Sequence, residues 1–376
     1  MRRIAFFSLT PSPPAPPANK MVLQELQAAF PDHVIDVIYV LEQLKRAPAA
    51  LAVAAIAAGT SYAPDLLRRR KAFKYAVFRT PWLFRWIKRR AADLIDVSAY
   101  DFSFQMQSLF DASVPGLPHF VYTDHTHLEN LNYEGFDPAD LYSADWIDCE
   151  RAVYRNATMV FTRSSNVMAS LVSQYECDPD RLACVYAGSN AAVPDKVPHD
   201  PERYARKNIL FAGIDWQRKG GPTLLAAFSR VLQTHPDASL TIVGCTPDIG
   251  DTLRCRLVGR VPLDEMPKHF AAASVFCMPT QVEPFGIVFV EAMWHRLPIV
   301  ATRVGAVPDM VEDGENGFLV PQGDVGRLAA RLTALLDDPE LCARFGSASL
   351  HLARDRYDWP AVVRRMKERI AEKARL

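Results

Sequence analysis

The chain has 376 residues, enough for two domains of ordinary size, and its 49% apolar and 23% charged content is typical of a globular protein. Its 43 basic and 43 acidic side chains balance, so the overall charge gives no indication of nucleic-acid binding. We expect no membrane span, because the best apolar run, residues 47–58, falls short of the roughly 20 residues needed. Seven cysteines without paired spacing, and an N-terminus unlike a signal peptide, predict a cytoplasmic protein with reduced thiols.

Short apolar runs alternate with helical patterns along the whole chain. In the first half the predicted strands are 4–9, 33–40, 119–123, 159–162 and 182–186. In the second half they are 208–212, 239–243, 256–258, 275–279, 298–301 and 317–320. Helical patterns lie between many of them, for example over 222–234 and 325–336. The alternation predicts parallel sheets with crossover helices, which is an α/β fold.

One segment does not show this alternation of strand and helix patterns. Residues 191–207 are rich in Pro, Asp, His and Arg and show little periodicity. We interpret them as a linker between two domains, covering 1–195 and 206–357. The tail, 358–376, is predicted to be an amphipathic helix with basic character.

Two glutamates eight positions apart, Glu283 and Glu291, are the most informative feature of the second half. An apolar run leads into a polar turn with Pro284 and Gly286, and an apolar helical run follows, as at many anion-binding junctions of α/β proteins. Pro284 favours the first helical turn, which places Glu283 in the loop and Glu291 in the helix. At about 1.5 Å rise per residue the two lie roughly 12 Å apart. That is too far for a glycosidase carboxylate pair, but it suits two ends of one long ligand.

A second polar loop follows the predicted strand 208–212. Gly213 ends that strand, and Arg218 and Lys219 come directly before two glycines. Cations beyond the carboxyl end of a strand, with glycines that let the backbone approach closely, predict a diphosphate clamp. A solvated basic turn is the alternative.

In their order and spacing, these segments resemble the family-4 glycosyltransferases (glycosyl transferases group 1). The resemblance covers residues 208–359 and includes the further motifs at 240–244, 257–261, 298–305 and 313–320. It implies a GT-B fold, in which two Rossmann-like domains face each other across a cleft. The N-terminal domain would be the acceptor side, the C-terminal domain would bind the sugar-nucleotide donor, and the 358–376 helix would cross back to the N-terminal domain.

The resemblance also implies roles for individual residues. Arg218 and Lys219 would hold the donor diphosphate, Glu283 the transferred hexose and Glu291 the ribose. The remaining donor-binding positions would be Gly213, Val258 near the base, and the backbone N–H groups of Phe285, Gly286 and Ile287. The nucleoside diphosphate sugar would be a co-substrate, with no cofactor and no metal.

The first half departs from the family pattern. The family carries a glycine pair after the first strand, whereas this chain has a Pro-rich loop at 10–17, and prolines remove N–H donors. Ile214 stands where many relatives have arginine. These departures leave open a non-catalytic sugar-nucleotide-binding subunit. A GT-B phosphorylase-like enzyme is a second alternative.

A polar cluster follows the predicted strand 119–123. By resemblance, His125 would lie beside the reacting sugar, with Asp124 and His127 as neighbouring candidates. Asp-His-x-His also permits a metal interpretation, although spacing offers no further ligand. Asp178-Pro-Asp180 resembles the acidic metal-binding pair of the other major glycosyltransferase fold, and we interpret it as a turn.

The stretch from Arg68 to Arg90 contains cations and aromatic residues but no acid. This composition suits an anionic membrane surface or a phosphate-bearing acceptor, and an ordinary solvated helix pair is the alternative. We predict no nucleic-acid partner. The resemblance implies a retaining hexosyltransferase that acts on a glycan or lipid-linked hydroxyl acceptor. We expect it in the cytoplasm, with peripheral contact at the inner face of the membrane.

Overall fold

The structure is a computed structural model that describes residues 2–13, 16–191, 193, 200–250 and 254–376. The chain divides into two compact units. Unit 1 contains residues up to 186 together with 362–376, and unit 2 contains 187–361. The division therefore falls at 186/187, earlier than the linker predicted from composition. Residues 192 and 194–199 of that linker, and residues 14 and 15 of the Pro-rich loop, lie outside the described residues.

Unit 1 is built on a six-stranded parallel sheet with the order β2-β1-β3-β4-β5-β6. Its strands are β1 (Arg2–Ser8), β2 (His33–Tyr39), β3 (Phe102–Met106), β4 (His119–Thr123), β5 (Met159–Thr162) and β6 (Leu182–Cys184). Its helices are α1 (Pro17–Ala29), α2 (Val40–Lys45), α3 (Pro48–Leu67), α4 (Phe73–Val77), α5 (Pro81–Leu94), α6 (Ala144–Asn156) and α7 (Ser165–Ser173). Short 3₁₀ turns cover Val97–Ala99, Leu128–Asn132, Pro138–Asp140 and Pro179–Arg181.

Unit 2 repeats this architecture with the order β12-β11-β10-β7-β8-β9, again all parallel. Its strands are β7 (Asn208–Ala212), β8 (Ser239–Val243), β9 (Cys255–Gly259), β10 (Val275–Met278), β11 (Ile299–Thr302) and β12 (Gly317–Val320). Its helices are α8 (Glu202–Ala205), α9 (Gly221–Thr234), α10 (Met266–Ala272), α11 (Ile287–Trp294), α12 (Val307–Met310), α13 (Val325–Asp337) and α14 (Pro339–Arg356), with a 3₁₀ turn at Leu263–Glu265. The predicted α/β class is confirmed.

The last helix, α15 (Trp359–Ala374), is divided between the units. In unit 2, the indole N–H of Trp359 donates to the Ser189 carbonyl over 2.8 Å. In unit 1, the Arg365 guanidinium donates to the Val185 carbonyl over 2.8 Å.

The sequence did not reveal strand β3, which pairs with both β1 and β4. Its polar residues, Ser103 and Gln105, alternate with apolar ones, a pattern typical of a half-exposed strand, yet both are fully buried. Gln105 is satisfied because its amide donates to the carbonyls of Gln107 and Phe110 and accepts from the Ala112 N–H. The alternation could have revealed the strand, whereas the burial of its polar side chains could not be predicted from hydropathy.

Helix α3 corrects the expectation that no segment could span a membrane. Among the described residues, α3 is long and apolar enough to cross a membrane, judged by length and composition alone. The core helix of a globular protein can have the same length and composition. In α3, however, only 22% of the most apolar 18-residue segment is buried.

In both sheets the strand order reverses at a point where non-consecutive strands become neighbours. In unit 1 the reversal lies between β1 and β3, and in unit 2 it lies between β7 and β10. Ligands of open α/β sheets bind at the carboxyl ends of such strands. The loops after β7 and β10 are those that contain the predicted cations and Glu283.

Candidate active site

The loops after β7 and β10 meet through an ion pair. The Lys219 ammonium donates to Oε2 of Glu283, and the two side chains are only 11% and 5% exposed. Burial lowers the pKa of Lys219 from its usual value, and the adjacent carboxylate of Glu283 opposes this shift. The backbone fixes Glu283 as well, because its carbonyl accepts the Ala306 N–H over 3.1 Å. The structure therefore brings together two residues that the sequence placed in separate motifs.

Arg218 lies beside this pair and is more exposed. Its guanidinium donates to the Val282 carbonyl over 2.8 Å, and its Nε lies 3.5 Å from the Asp215 carboxylate. Asp215 also accepts the Arg218 backbone N–H over 3.1 Å. These contacts hold the guanidinium at the carboxyl end of β10 while leaving it accessible to an anion.

Two glycines shape this edge of the sheet. Gly220 has φ +75° just before α9, and a Cβ there would overlap the Pro279 carbonyl oxygen. Gly286 has φ +92° just before α11, and a Cβ there would lie 2.7 Å from the Phe289 ring. Only glycine permits both conformations together with this close approach. Gly220 therefore lets the loop after β7 pack against Pro279 after β10, and Gly286 lets the start of α11 lie close to Glu283.

Helix α11 begins at Ile287, so Pro284 lies before the helix and not in its first turn as predicted. Glu283 stands in the loop and Glu291 within the helix, as the sequence indicated. Glu291 is buried, and its carboxylate accepts the backbone N–H groups of Asn190 and Ala191. Burial raises the pKa of Glu291 from 4.5 to about 7, and these two N–H groups reduce that rise.

The remaining predicted donor residues occupy the same unit. Gly213 directly follows β7, and its N–H donates to the Val243 carbonyl over 2.9 Å. Val258 lies on the edge strand β9 and is partly exposed. The Phe285 side chain is buried near the Tyr357 ring, so only its backbone could serve a ligand. Ile287 is the first residue of α11, where the backbone N–H has no intrahelical partner.

His125 belongs to unit 1, where it lines a cavity at the carboxyl ends of β3 and β4. The charged and polar residues lining this cavity include Arg79, Gln107, Asp124, His125, His127 and Glu150. Burial lowers the pKa of His125, so the imidazole is neutral at pH 7. The Thr123 hydroxyl donates to the His125 carbonyl over 2.8 Å and thereby fixes the loop. A neutral imidazole can exchange hydrogen bonds with a sugar hydroxyl.

Two members of the Asp-His-x-His cluster contact other groups of the protein. His127 Nε2 accepts the Tyr142 backbone N–H over 2.8 Å, and Asp124 faces Arg163 over 3.3 Å. No group of three or more potential ligands lies together in the part of the chain that the structure describes. Asp178, as predicted, caps a turn, because its carboxylate accepts the Asp180 N–H over 3.0 Å.

Sequence patterns did not single out Glu150, the anchor of the His125 loop. Its buried carboxylate accepts hydrogen bonds from the hydroxyls of Ser108, Tyr154 and Tyr175 and from the His127 N–H. Burial raises its pKa, and these donors oppose the rise. Gln107 was missed too, and local sequence carried no signal for either residue. Arg79 was not predicted to line this cavity, although it lies in the basic stretch from Arg68 to Arg90. Asp215 could have been found, because an Asp three residues before a cation in a turn is a common capping pattern.

The fold is that of GT-B glycosyltransferases. Sucrose-phosphate synthase from Thermosynechococcus elongatus superposes with a TM-score of 0.68 at 17% identity, covering 99% of both chains. Anabaena HepE, solved in complex with UDP and glucose, gives 0.62 at 16% identity and covers 99% of this chain and 100% of that one.

Residues 206–338 match the family described as glycosyl transferases group 1. The match confirms the resemblance over most of the region, 208–359, in which the sequence showed it.

Two curated relatives bear the names of specific transferases. A D-inositol 3-phosphate glycosyltransferase of Corynebacterium efficiens is 29% identical over 249 residues, which cover 60% of this chain and 58% of that protein. A GDP-mannose-dependent alpha-(1-6)-phosphatidylinositol monomannoside mannosyltransferase of Mycolicibacterium smegmatis is 33% identical over 189 residues, covering 45% and 50%. The chain therefore spans less than two thirds of the length of these relatives.

Proposed function

We propose that the protein is a retaining glycosyltransferase that moves a hexose from a nucleoside diphosphate sugar to a hydroxyl acceptor, a glycan or glycolipid precursor. The observation that carries this proposal is the Lys219–Glu283 pair, with Arg218 beside it, at the point where the unit 2 sheet reverses its strand order. A cationic edge next to a buried carboxylate suits a ligand with phosphates at one position and sugar hydroxyls at the next.

In this mechanism Arg218 and Lys219 bind the diphosphate and stabilise the charge that develops as the nucleoside diphosphate departs. Glu283 accepts hydrogen bonds from the hexose hydroxyls, and Glu291 accepts them from the ribose. The chain near Val258 faces the base, and His125 orients the hexose.

A front-face route accounts for retention with this set of residues. Lys219 already holds Glu283, which makes that carboxylate a better partner for hydroxyls than a nucleophile. The β-phosphate oxygen of the donor would then accept the acceptor proton as the glycosidic bond to phosphate breaks and the new one forms on the same face. The reaction needs no metal in this route, because the two cations supply the charge.

The relatives support the class of reaction. Their names describe sugar transfer to an inositol phosphate and to a mannosylated phosphatidylinositol, and one donor is named as GDP-mannose. HepE was solved with UDP and glucose. These names favour a nucleoside diphosphate sugar as donor and a hydroxyl acceptor, and they differ in the base and the sugar.

A thermal-shift panel of UDP-, GDP-, ADP- and dTDP-sugars tests donor binding, since a ligand of the folded state alone raises the melting temperature. One donor should raise the melting temperature of wild type but not that of Arg218→Ala. The melting temperature of the ligand-free variant shows whether loss of the Val282 contact affects folding. Arg354→Ala, an exposed arginine of α14, is the matched control. A donor that binds without even slow hydrolysis or transfer would instead favour the non-catalytic subunit, and phosphate-dependent sugar release would favour the phosphorylase-like enzyme.

We also propose a cytoplasmic location, on the ground that a nucleoside diphosphate sugar is the donor and that the cysteines lack paired spacing. Fractionation of cells that express the tagged protein would test it, and recovery from an extracytoplasmic fraction would overturn it.

A further inference from the structure

Helix α3 has an unusual distribution of apolar side chains. The face that packs on unit 1 is formed by Ala50, Ala54, Ala58 and Tyr62, all buried. The larger aliphatic residues face away, and Ile56 and Leu67 are 67% and 85% exposed, with Leu51 and Val53 also exposed. No charged residue occurs between 48 and 64. A solvent-facing helix normally places its polar residues outward, so this face is suited to an apolar environment.

Cations flank this face at both ends. Lys45 and Arg46 precede the helix and are exposed, and Arg68 and Arg69 follow it and are exposed as well. Apart from the exposed Glu42, three residues before Lys45, the acids nearby have cationic partners in the structure. Asp65 pairs with the buried Lys71, and Asp137 and Asp140 pair with Arg70. The outer charge around the helix is therefore positive.

Aromatic residues extend the same surface beyond the helix. Phe73 and Tyr75 are 49% and 54% exposed, and Lys74 lies 4.8 Å from the centre of the Tyr75 ring. The rest of the basic, aromatic stretch is different. In α5, Phe84 and Ile87 are buried, while Trp82 and Trp86 pack against the core. The surface thus comprises α3 and residues 68–75, and not the whole span from Arg68 to Arg90.

We propose that α3 with residues 68–75 is a docking surface for an anionic lipid bilayer. The helix would lie in the plane of the interface, because its alanine face is packed on unit 1 and only its outer face is available to lipid. Ile56 and Leu67 would enter the boundary of the acyl chains, and Phe73 and Tyr75 would sit at the level of the headgroups. Arg68, Arg69, Lys45 and Arg46 would contact lipid phosphates.

Co-sedimentation with vesicles tests this surface, using phosphatidylcholine alone and phosphatidylcholine mixed with phosphatidylglycerol. Wild type should bind the anionic vesicles about tenfold more tightly than the neutral ones, and added salt should weaken the binding. Arg68→Glu/Arg69→Glu should reduce binding by about tenfold or more, since each cation near the surface contributes a factor of roughly five. Ile56→Glu should also reduce it, even at low salt.

Matched controls come from unit 2. Leu263→Glu replaces an exposed leucine and Arg354→Glu replaces an exposed arginine, and both should bind vesicles like wild type. Circular dichroism and thermal melting verify that each variant is folded. Equal binding by all variants, or no vesicle binding by wild type, would overturn the proposal. So would a concentration-dependent dimer, seen by light scattering, that Ile56→Glu dissociates, because the occupant would then be a second copy of the chain. The surface belongs to unit 1 and the donor site to unit 2, so failure of donor binding would leave the vesicle result intact.

Discussion

The Lys219 ammonium donates to the Glu283 carboxylate, joining loops 64 residues apart in the chain. Both side chains are buried, and each is the charged partner of the other. A buried ion pair of this kind is costly to break from one side, because the remaining charge keeps its desolvation penalty and loses its partner. Replacing either residue should therefore change both the packing of the two loops and the charge at this edge of the sheet.

Lys219→Ala should lower the free energy of unfolding by about 3 kcal/mol, because Glu283 then remains buried without a cation. The double variant Lys219→Ala/Glu283→Gln should regain most of that loss, since the amide removes the unpaired charge. Urea denaturation of wild type, both single variants and the double variant gives the coupling energy. Strictly additive effects would show that the two side chains do not interact in solution.

Gly220→Ala should destabilise the protein by roughly 3 kcal/mol or more, because strain at positive φ adds to overlap with the Pro279 carbonyl. The control is Gly314→Ala, where φ is +87° but a Cβ meets open space. That variant should lose only about 1 kcal/mol. Similar losses for the two glycines, measured by thermal melting, would argue against the close packing of the loops after β7 and β10.

Glu291 should make stability depend on pH. Burial raises its folded pKa to about 7, so the folded state holds its proton where the unfolded carboxyl, with a pKa of 4.5, has lost it. Stability should therefore fall as pH rises from about 4.5 to 7, by up to roughly 3 kcal/mol. Denaturation across this range should show a weaker slope in Glu291→Gln. A variant that retained the wild-type slope would assign the titration to another group.

The affinity for the donor should also depend on the ionisation of Glu291, but it should increase as pH rises. A ribose hydroxyl donates to the ionised carboxylate, so binding should strengthen as pH rises through about 7. Below that value affinity should drop about tenfold per pH unit in wild type. In Glu291→Gln the affinity should be weaker and nearly flat with pH. Isothermal titration with the donor identified by thermal shift would measure both curves, and parallel curves would contradict the ribose role.

Glu150→Ala should cost about 3 kcal/mol or more, because three hydroxyls and the His127 N–H lose their acceptor at a buried position. Tyr175→Phe removes one donor and should cost about 1 kcal/mol. Glu42→Ala, at an exposed glutamate of α2, should change stability by less than about 0.5 kcal/mol. Urea denaturation ranks the three variants by their free energy of unfolding. If Glu150→Ala lost no more stability than Glu42→Ala, Glu150 would have no structural role.

The sequence by itself determined the α/β class, most of the strands, and the loops in which Arg218, Lys219 and Glu283 lie. Those features are local, because apolar runs, glycines and charges at fixed spacing depend on neighbouring residues alone. It erred by a few residues at Pro284, since helix boundaries depend on capping geometry that a pattern does not contain.

Only the tertiary structure decided which distant groups meet. The burial of Gln105 in strand β3 could not be predicted, because its hydrogen-bond partners lie beyond the strand itself. The Lys219–Glu283 pair depends on β7 and β10 being neighbours, a matter of strand order that no local pattern contains. Burial of Glu291 against residues 190 and 191, and the outward aliphatic face of α3, likewise depend on packing. Hydropathy reports how apolar a residue is, while its surroundings in the fold decide what that residue contacts.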